Sequence, residues 1–458
     1  TILYMMNEKY KKYTHVEHVL KLPDTYVGSI EKHNQLINVY VEDEKGNSSI
    51  EKKEILYVPA LYKIYDEIIA NAEDQDTRLK IDKKNTKNGK NILTVSTIKI
   101  NIDKESGRIE VFNDGEGIDI VKMKEHNMFP PELIFGCLLT STNYNEDEQK
   151  VTGGKNGYGA KLTNIFSKEF VVETVDHKRK KKFVQIFKNN MSEKSVAKIT
   201  KYTEKPYTKI SFIPDYEKLS MDNMEEDIYS LMKKRAYDVA AWTNKDVSVY
   251  FNDTMIKTKG FEQYVDLYID SDKPRVYEKY RNNWEIVASY NDNETFEQVS
   301  FVNGINTTRG GKHVDYIVDQ IKEKLAELIK KKNKVNVKPI YVKNQLLIFV
   351  KSTIVNPSFD GQTKETLTTP KSKFGSTCTV SSKFINNLYN TGIVERIIIQ
   401  AEYKDSKILK KTDGKKTSTI RGIPKLTDAN KAGGKDSKKC TLILTEGDSA
   451  KTMAISDL

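Results

Sequence analysis

Residues 151–161 read VTGGKNGYGAK and lead without a break into Leu162, Ile165 and Phe166 at helical spacing. Glycine at positions 153, 154, 157 and 159 leaves the backbone open to close approach, so this stretch is a glycine-rich loop that opens a helix. Its free N–H groups, the helix N-terminus, and Lys155 and Lys161 together suit a polyphosphate. The spacing matches neither the Walker A loop nor the kinase glycine pattern. Taken by itself, the segment could equally be a flexible hinge.

At 458 residues the chain exceeds one ordinary core, and two or three domains are expected. Its 38% hydrophobic residues, two Trp and 25 Tyr imply packed globular units with wide polar surfaces. Nothing approaches the run of about 18 apolar residues that a membrane span needs, so no membrane association is expected. The chain begins at Thr1 with neither an initiator Met nor a signal-peptide pattern, and reads as a piece of a longer intracellular protein. Cys137, Cys378 and Cys440 are too few for a disulfide framework and too dispersed for a zinc module. The formal charge of +11 gathers in lysine runs at 178–182, 330–334 and 407–416. Such runs suit an anionic partner or a solvated basic surface.

Helical periodicity covers 58–75, 158–167, 224–242 and 312–331, and period-two alternation covers 98–102, 108–112 and 181–187. The fold class expected is therefore α+β. Residues 346–355 form an apolar run that predicts a buried strand, followed at once by a ligand-facing turn at Asn356 and Pro357. The polar stretches 42–54 and 83–91 predict loops, and 404–439 predicts a linker.

Within 58–75, Leu61, Ile64, Tyr65, Ile68 and Ala72 fall on one helical face, with Pro59 in the first turn. Glu67, Asn71 and Asp74 form a polar stripe beside it. At a nucleotide, Glu67 could orient or deprotonate a water, and Asn71 could give Mg²⁺ a hard oxygen ligand. An ordinary amphipathic helix would show the same stripe. Downstream, the strand ending at Phe112 runs into Asn113, Asp114, Gly115, Glu116 and Gly117. An ionised Asp114 could accept from an exocyclic amine such as that of adenine, although Asn-Asp-Gly is also a common surface turn.

Together and in this order, the three motifs resemble the ATPase family shared by type II topoisomerases, mismatch-repair ATPases and certain heat-shock chaperones. Residues 139–144 (LTSTNY), 151–161 and 359–365 (FDGQTKE) are similar to the eukaryotic type II topoisomerase branch of that family. Residues 441–450 (TLILTEGDSA) look like the opening of its metal-binding cleavage domain. The resemblance implies a two-layer α/β sandwich of Bergerat type over 1–255, including an N-terminal arm. It implies a transducer like ribosomal protein S5 over 256–405, the linker over 406–439, and the start of a toprim domain over 440–458.

By the same resemblance Glu67 activates the attacking water, Asn71 holds Mg²⁺, Asp114 selects adenine and Asn113 and Gly117 adjoin the nucleotide. Ser141, Thr142 and Asn143 contact its sugar and phosphates. Gly154, Lys155, Asn156, Gly157, Tyr158, Gly159, Ala160 and Lys161 wrap the triphosphate of ATP. Gln362, Thr363 and Lys364 reach from the second domain to the γ-phosphate, Lys364 with a catalytic role, and Tyr10 reaches the nucleotide of the partner subunit. Glu446 is a metal ligand of the complete enzyme, whose DNA-cleaving tyrosine is expected past Leu458. The implied whole is a nuclear homodimer closed by ATP around double-stranded DNA, with Lys330, Lys331 and Lys332 touching phosphates. Lys155, Gln75 and Thr142 depart from the residues common there, and a lysine cannot reproduce a bidentate arginine contact. A nucleotide-sensing scaffold that binds ATP without turning it over is the contrasting reading, against which Glu67 stands.

Overall fold

The computed structural model of the chain describes residues 12–86, 92–140, 150–154, 157–243, 245–413, 426–429, 431–446, 451 and 454, without the side chains of 404–413. The architecture is α+β, as the mixed periodicities require. A nine-stranded sheet runs, edge to edge, through Thr254–Met255, Ser248–Phe251, Thr97–Ile102, Ile109–Asp114, Tyr207–Pro214, Ser167–Asp176, Lys181–Lys188 and Glu193–Lys194, with Lys198–Lys201 also paired to Lys181–Lys188. All its pairings are antiparallel except that of Ser248–Phe251 with Thr97–Ile102.

The helix Pro59–Asn85 lies against this sheet and carries the first functional stripe. Pro59 occupies the first turn, where its missing N–H has no intrahelical partner to lose. Leu61, Ile64, Tyr65, Ile68 and Ala72 are all buried in one core with Ile98, Ile100, Ile109 and Val111 of the sheet. The helix runs ten residues past the periodic segment. No glycine or proline interrupts it there, Lys80 pairs with Asp76 at 2.6 Å one turn back, and Lys83 and Lys84 face the negative end of the helix dipole.

A five-stranded sheet follows, ordered Val276–Tyr280, Trp284–Tyr290, Leu346–Ser352, Glu297–Val302 and Ile305–Asn306. One face packs on the amphipathic helix Lys312–Asn333 through Ile317, Ile321, Leu325, Ile348 and Val350. The other face, with Val287, Phe301 and Phe349, joins Phe261, Tyr264 and Ala241 in a core shared with the first unit. Burial on both faces explains why the strand at 346–352 reads as an apolar run instead of alternating.

Three expectations about loops are corrected. Residues 83–85, read as loop, close the helix Pro59–Asn85, and 87–91 lie outside the described residues. Residues 48–54, read as loop, belong to the strand Ser48–Tyr57, which pairs in full register with His33–Glu42. Only the turn holds, with Asp43 Oδ1 accepting from the backbone N–H of Asn47 at 2.7 Å. The ribbon buries Val39 and Tyr40 in its first strand and Ile50, Ile55 and Tyr57 in its second, and the exposed charged residues at 51–54 hide the alternation. The helix Val394–Asp413 likewise runs ten residues into the stretch expected as linker.

Candidate active site

Glu67 is 5% exposed at the centre of a buried ion cluster. Lys63, one turn earlier on the same helix, places Nζ 2.5 Å from Glu67 Oε1. Lys364, from the loop after the second sheet, places Nζ 3.4 Å from the same oxygen. Burial would raise the Glu67 carboxyl, but the two ammonium groups outweigh it and hold the group below its ordinary range. Lys364 is itself buried and adopts φ +61°. Burial opposes its charge, yet Glu67, Asp66 and Asp74 keep its ammonium above the usual lysine value.

Asn71 is exposed one turn further along, with no described side chain bonded to it, so its amide oxygen is available to a ligand. Asp74 completes the stripe. Its two oxygens accept the N–H groups of Gly153 at 2.8 Å and Gly154 at 2.9 Å. On the adjoining side of the helix, Arg235 of the helix Glu226–Trp242 bridges Asp66 at 2.6 Å and Glu73 at 2.7 Å.

The glycine-rich loop returns to the same helix at its far end. A Cβ on Gly159 would lie 2.0 Å from Glu67 Oε2, so any other residue there would force the carboxylate or the start of the helix Gly159–Ile165 to shift. Lys161 is buried and donates to the carbonyls of Thr140 at 2.7 Å and Gly157 at 2.5 Å. Burial pulls its ammonium down to about 8. Gly157, Tyr158 and Ala160 lie in the same loop and helix start.

Strand parity separates Asn113 from Asp114. Asn113 falls on the face of Ile109 and Val111, toward the helices. Its Nδ2 donates to the carbonyl of Asp114 at 3.0 Å, and no described residue bonds its Oδ1. Asp114 falls on the opposite face. Its Oδ1 accepts the N–H groups of Ser96 and Thr97 at 2.6 and 2.9 Å, and its Oδ2 accepts from the Ser96 hydroxyl and Lys205 Nζ at 2.6 and 2.5 Å. Four donors fill the carboxylate, so the free acceptor expected of Asp114 is not there. Gly117 abuts the protein itself, because a Cβ would stand 1.9 Å from the Val175 carbonyl oxygen.

The second unit closes on the loop at several points. Gln362 and Thr363 immediately precede Lys364, with Thr363 beside Gly28. Asn356 donates its N–H to the Lys150 carbonyl at 2.8 Å and accepts from Lys150 N at 3.0 Å. A Cβ on Gly153 would lie 2.9 Å from Ile305 Cδ1. Lys351 Nζ caps the C-terminus of Glu226–Trp242 through the carbonyls of Ala241 and Trp242 at 3.0 and 2.9 Å. Within this cluster the sequence held one plain signal that went unused: Lys63 and Glu67 stand at the i, i+4 spacing of an ion pair.

Tyr10, Ser141, Thr142, Asn143, Lys155 and Asn156 lie outside the described residues. Glu446 is exposed, and among the described residues no three His, Cys, Asp or Glu side chains form a metal cluster. Lys330, Lys331 and Lys332 are exposed in the last turn of Lys312–Asn333, with Lys332 Nζ 4.2 Å over the Tyr389 ring. No helix among the described residues is long and apolar enough to cross a membrane.

A family model described as DNA gyrase B matches residues 243–416. The chain is 48% identical to DNA topoisomerase 2 of Drosophila melanogaster, over 99% of this chain and 31% of that protein. It is 46% identical to DNA topoisomerase 2-beta of Homo sapiens, over 98% of this chain and 27% of that one. It thus spans about a third of the length of these curated relatives. Among solved structures, the ATPase region of Saccharomyces cerevisiae topoisomerase II superposes with a TM-score of 0.78 at 43% identity, covering 86% of this chain and 99% of that one. The ATPase and transducer domains of DNA topoisomerase II from Balamuthia mandrillaris give a TM-score of 0.79 at 43% identity, covering 87% and 98%.

Proposed function

This chain belongs to the DNA topoisomerase II family, and on that premise we propose that it is an ATP-hydrolysing gate, closed by nucleotide into a homodimer around a DNA duplex. The observation that carries the reading is the approach of Lys364, from the second unit, to Glu67 of the first. One residue of the pair is a carboxylate suited to a water, and the other a cation suited to a γ-phosphate. When Lys364 turns to the phosphate, Glu67 loses one of the two charges that depress it and becomes a stronger base. Hydrolysis reverses the exchange and lets the second unit move, which couples turnover to the gate.

The remaining assignments draw on the geometry for the described residues and on the resemblance for the others. Asn71 presents a free hard oxygen, which fits Mg²⁺, an ion that takes few protein ligands beside phosphates and water. Bound there, Mg²⁺ would neutralise phosphate charge. Asn113, on the helix-facing side of its strand, takes over base recognition from Asp114, whose role becomes bracing Ser96 and Thr97. Lys161, already desolvated, lies in the loop that faces the triphosphate, as do Gly157, Tyr158 and Ala160. Ser141, Thr142, Asn143, Lys155, Asn156 and the partner-directed Tyr10 keep the roles implied by resemblance. The division into units at 1–255 and 256–405, the toprim start with Glu446 as metal ligand, and nuclear location belong to the same proposal.

ATP turnover per protomer, measured against protein concentration with Mg²⁺ and without DNA, tests the reading. Turnover that rises with concentration is expected of an ATPase assembled by dimerisation. Flat turnover would remove the gate, and none would favour the nucleotide-sensing scaffold.

A further inference from the structure

The nucleotide loop is fixed to one helix at two places. Gly159 packs on Glu67, and Gly153 and Gly154 donate to Asp74. Glu67 and Asp74 are seven residues apart, roughly 10 Å along the helix axis, and the exposed Asn71 stands between them. Two consecutive N–H groups aimed at one carboxylate reproduce the way backbone donors hold an anion, and here the anion belongs to the protein.

We propose that Asp74 is the positioning residue of the glycine-rich loop, holding its first turn against the helix that bears Glu67 and Asn71. This rests on the reading of the site as an ATP site. The Gly153–Gly154 turn is held from three directions. Asp74 grips its N–H groups, Ile305 and the Asn303 carbonyl close on the position a Gly153 side chain would take, and Asn356 clasps Lys150 just upstream. Movement of the second unit would carry Asn303, Ile305 and Asn356 with it, so Asp74 decides how far the loop can follow. The Gly154 N–H, expected to bind phosphate, is then committed to the protein, and nucleotide binding falls to the later part of the loop. An isosteric amide at position 74 keeps one acceptor but turns a donor toward the second N–H group, which breaks the paired geometry.

The test compares the wild-type chain with Asp74→Asn and Asp74→Ala in two measurements. The first is hydrogen exchange at the Gly153 and Gly154 amides without nucleotide, where both variants are expected to exchange about 10-fold faster or more. The second is steady-state turnover beside the affinity for a non-hydrolysable ATP analogue. Turnover is expected to fall by about 10-fold or more while the analogue still binds, because a misplaced loop spoils alignment before it releases the nucleotide. A thermal unfolding curve that retains the wild-type midpoint separates this from general destabilisation, and a lowered midpoint in Asp74→Ala leaves Asp74→Asn to decide. Unchanged exchange would overturn the anchor, and faster exchange with unchanged turnover would overturn its role in positioning. If the wild type binds no analogue, the ATP reading fails while the exchange measurement still reports on the anchor.

Discussion

Lys364 Nζ and Glu67 Oε1 approach to 3.4 Å across 297 residues of sequence, joining the second sheet's outgoing loop to the first unit's longest helix. Both side chains are buried. The pair therefore holds charge that neither residue would keep buried alone.

Replacing Glu67 by Gln is expected to lower turnover by about 10² to 10⁴ while leaving analogue affinity nearly intact. Replacing Lys364 by Met should lower turnover as well, and the Glu67→Gln/Lys364→Met double variant should lose much less than the product of the two single losses. Multiplicative losses would show that the two residues act independently. Steady-state kinetics with analogue titration decides this.

Gly159→Ala puts a methyl group at a position 2.0 Å from Glu67 Oε2. We expect a loss of turnover by about 10-fold or more with a folded circular dichroism spectrum, because either the carboxylate or the start of the helix Gly159–Ile165 must shift. Wild-type turnover would mean that Glu67 need not sit where it does.

Asn113→Ala and Asp114→Ala should separate binding from stability. The first is expected to weaken ATP binding and narrow the preference for ATP over GTP. The second leaves the half-buried N–H groups of Ser96 and Thr97 without their carboxylate acceptor, and should cost about 1–3 kcal/mol in a denaturant titration. Loss of base preference in Asp114→Ala, with none in Asn113→Ala, would restore Asp114 to the base.

His313 sets a pH dependence of stability. It is fully buried, with Nε2 3.2 Å from Thr307 Oγ1, and burial lowers its imidazole to about 3 from 6.5. Between those values the unfolded chain binds a proton that the folded chain refuses, so stability is lost as pH falls below about 6.5. The loss between pH 7 and pH 5 should be about 2 kcal/mol. Urea midpoints of the wild type and His313→Gln should differ in their pH slope by this amount, and parallel slopes would refute it.

Neutralising Lys330, Lys331 and Lys332 to Gln should weaken duplex binding equally for unrelated sequences. It should also reduce the slope of log affinity against log salt by up to roughly 3, since each lysine–phosphate pair accounts for about 0.9. An unchanged slope would place the phosphate-binding charges elsewhere.

The sequence by itself determined what depends on local spacing. The apolar face of Leu61, Ile64, Tyr65, Ile68 and Ala72 and the exposed lysines of Lys312–Asn333 follow from helical periodicity, the glycine loop opening a helix from residues that chain geometry favours at turns, and the strand at 346–352 from an unbroken apolar run. What depends on which face of a strand is buried, or on distant segments meeting, required the fold. Asp114 looked like the free acceptor because an ionised carboxylate is the stronger partner. Strand parity instead turned it outward into four donors and left Asn113 facing the helices. The ribbon at 33–57 was obscured because its pairing is cross-strand and buries few side chains. Lys364 with Glu67, Asp74 with Gly153 and Gly154, and Asn356 with Lys150 join segments that no local period relates. Their free energy arises only once burial removes the water that would otherwise solvate each partner.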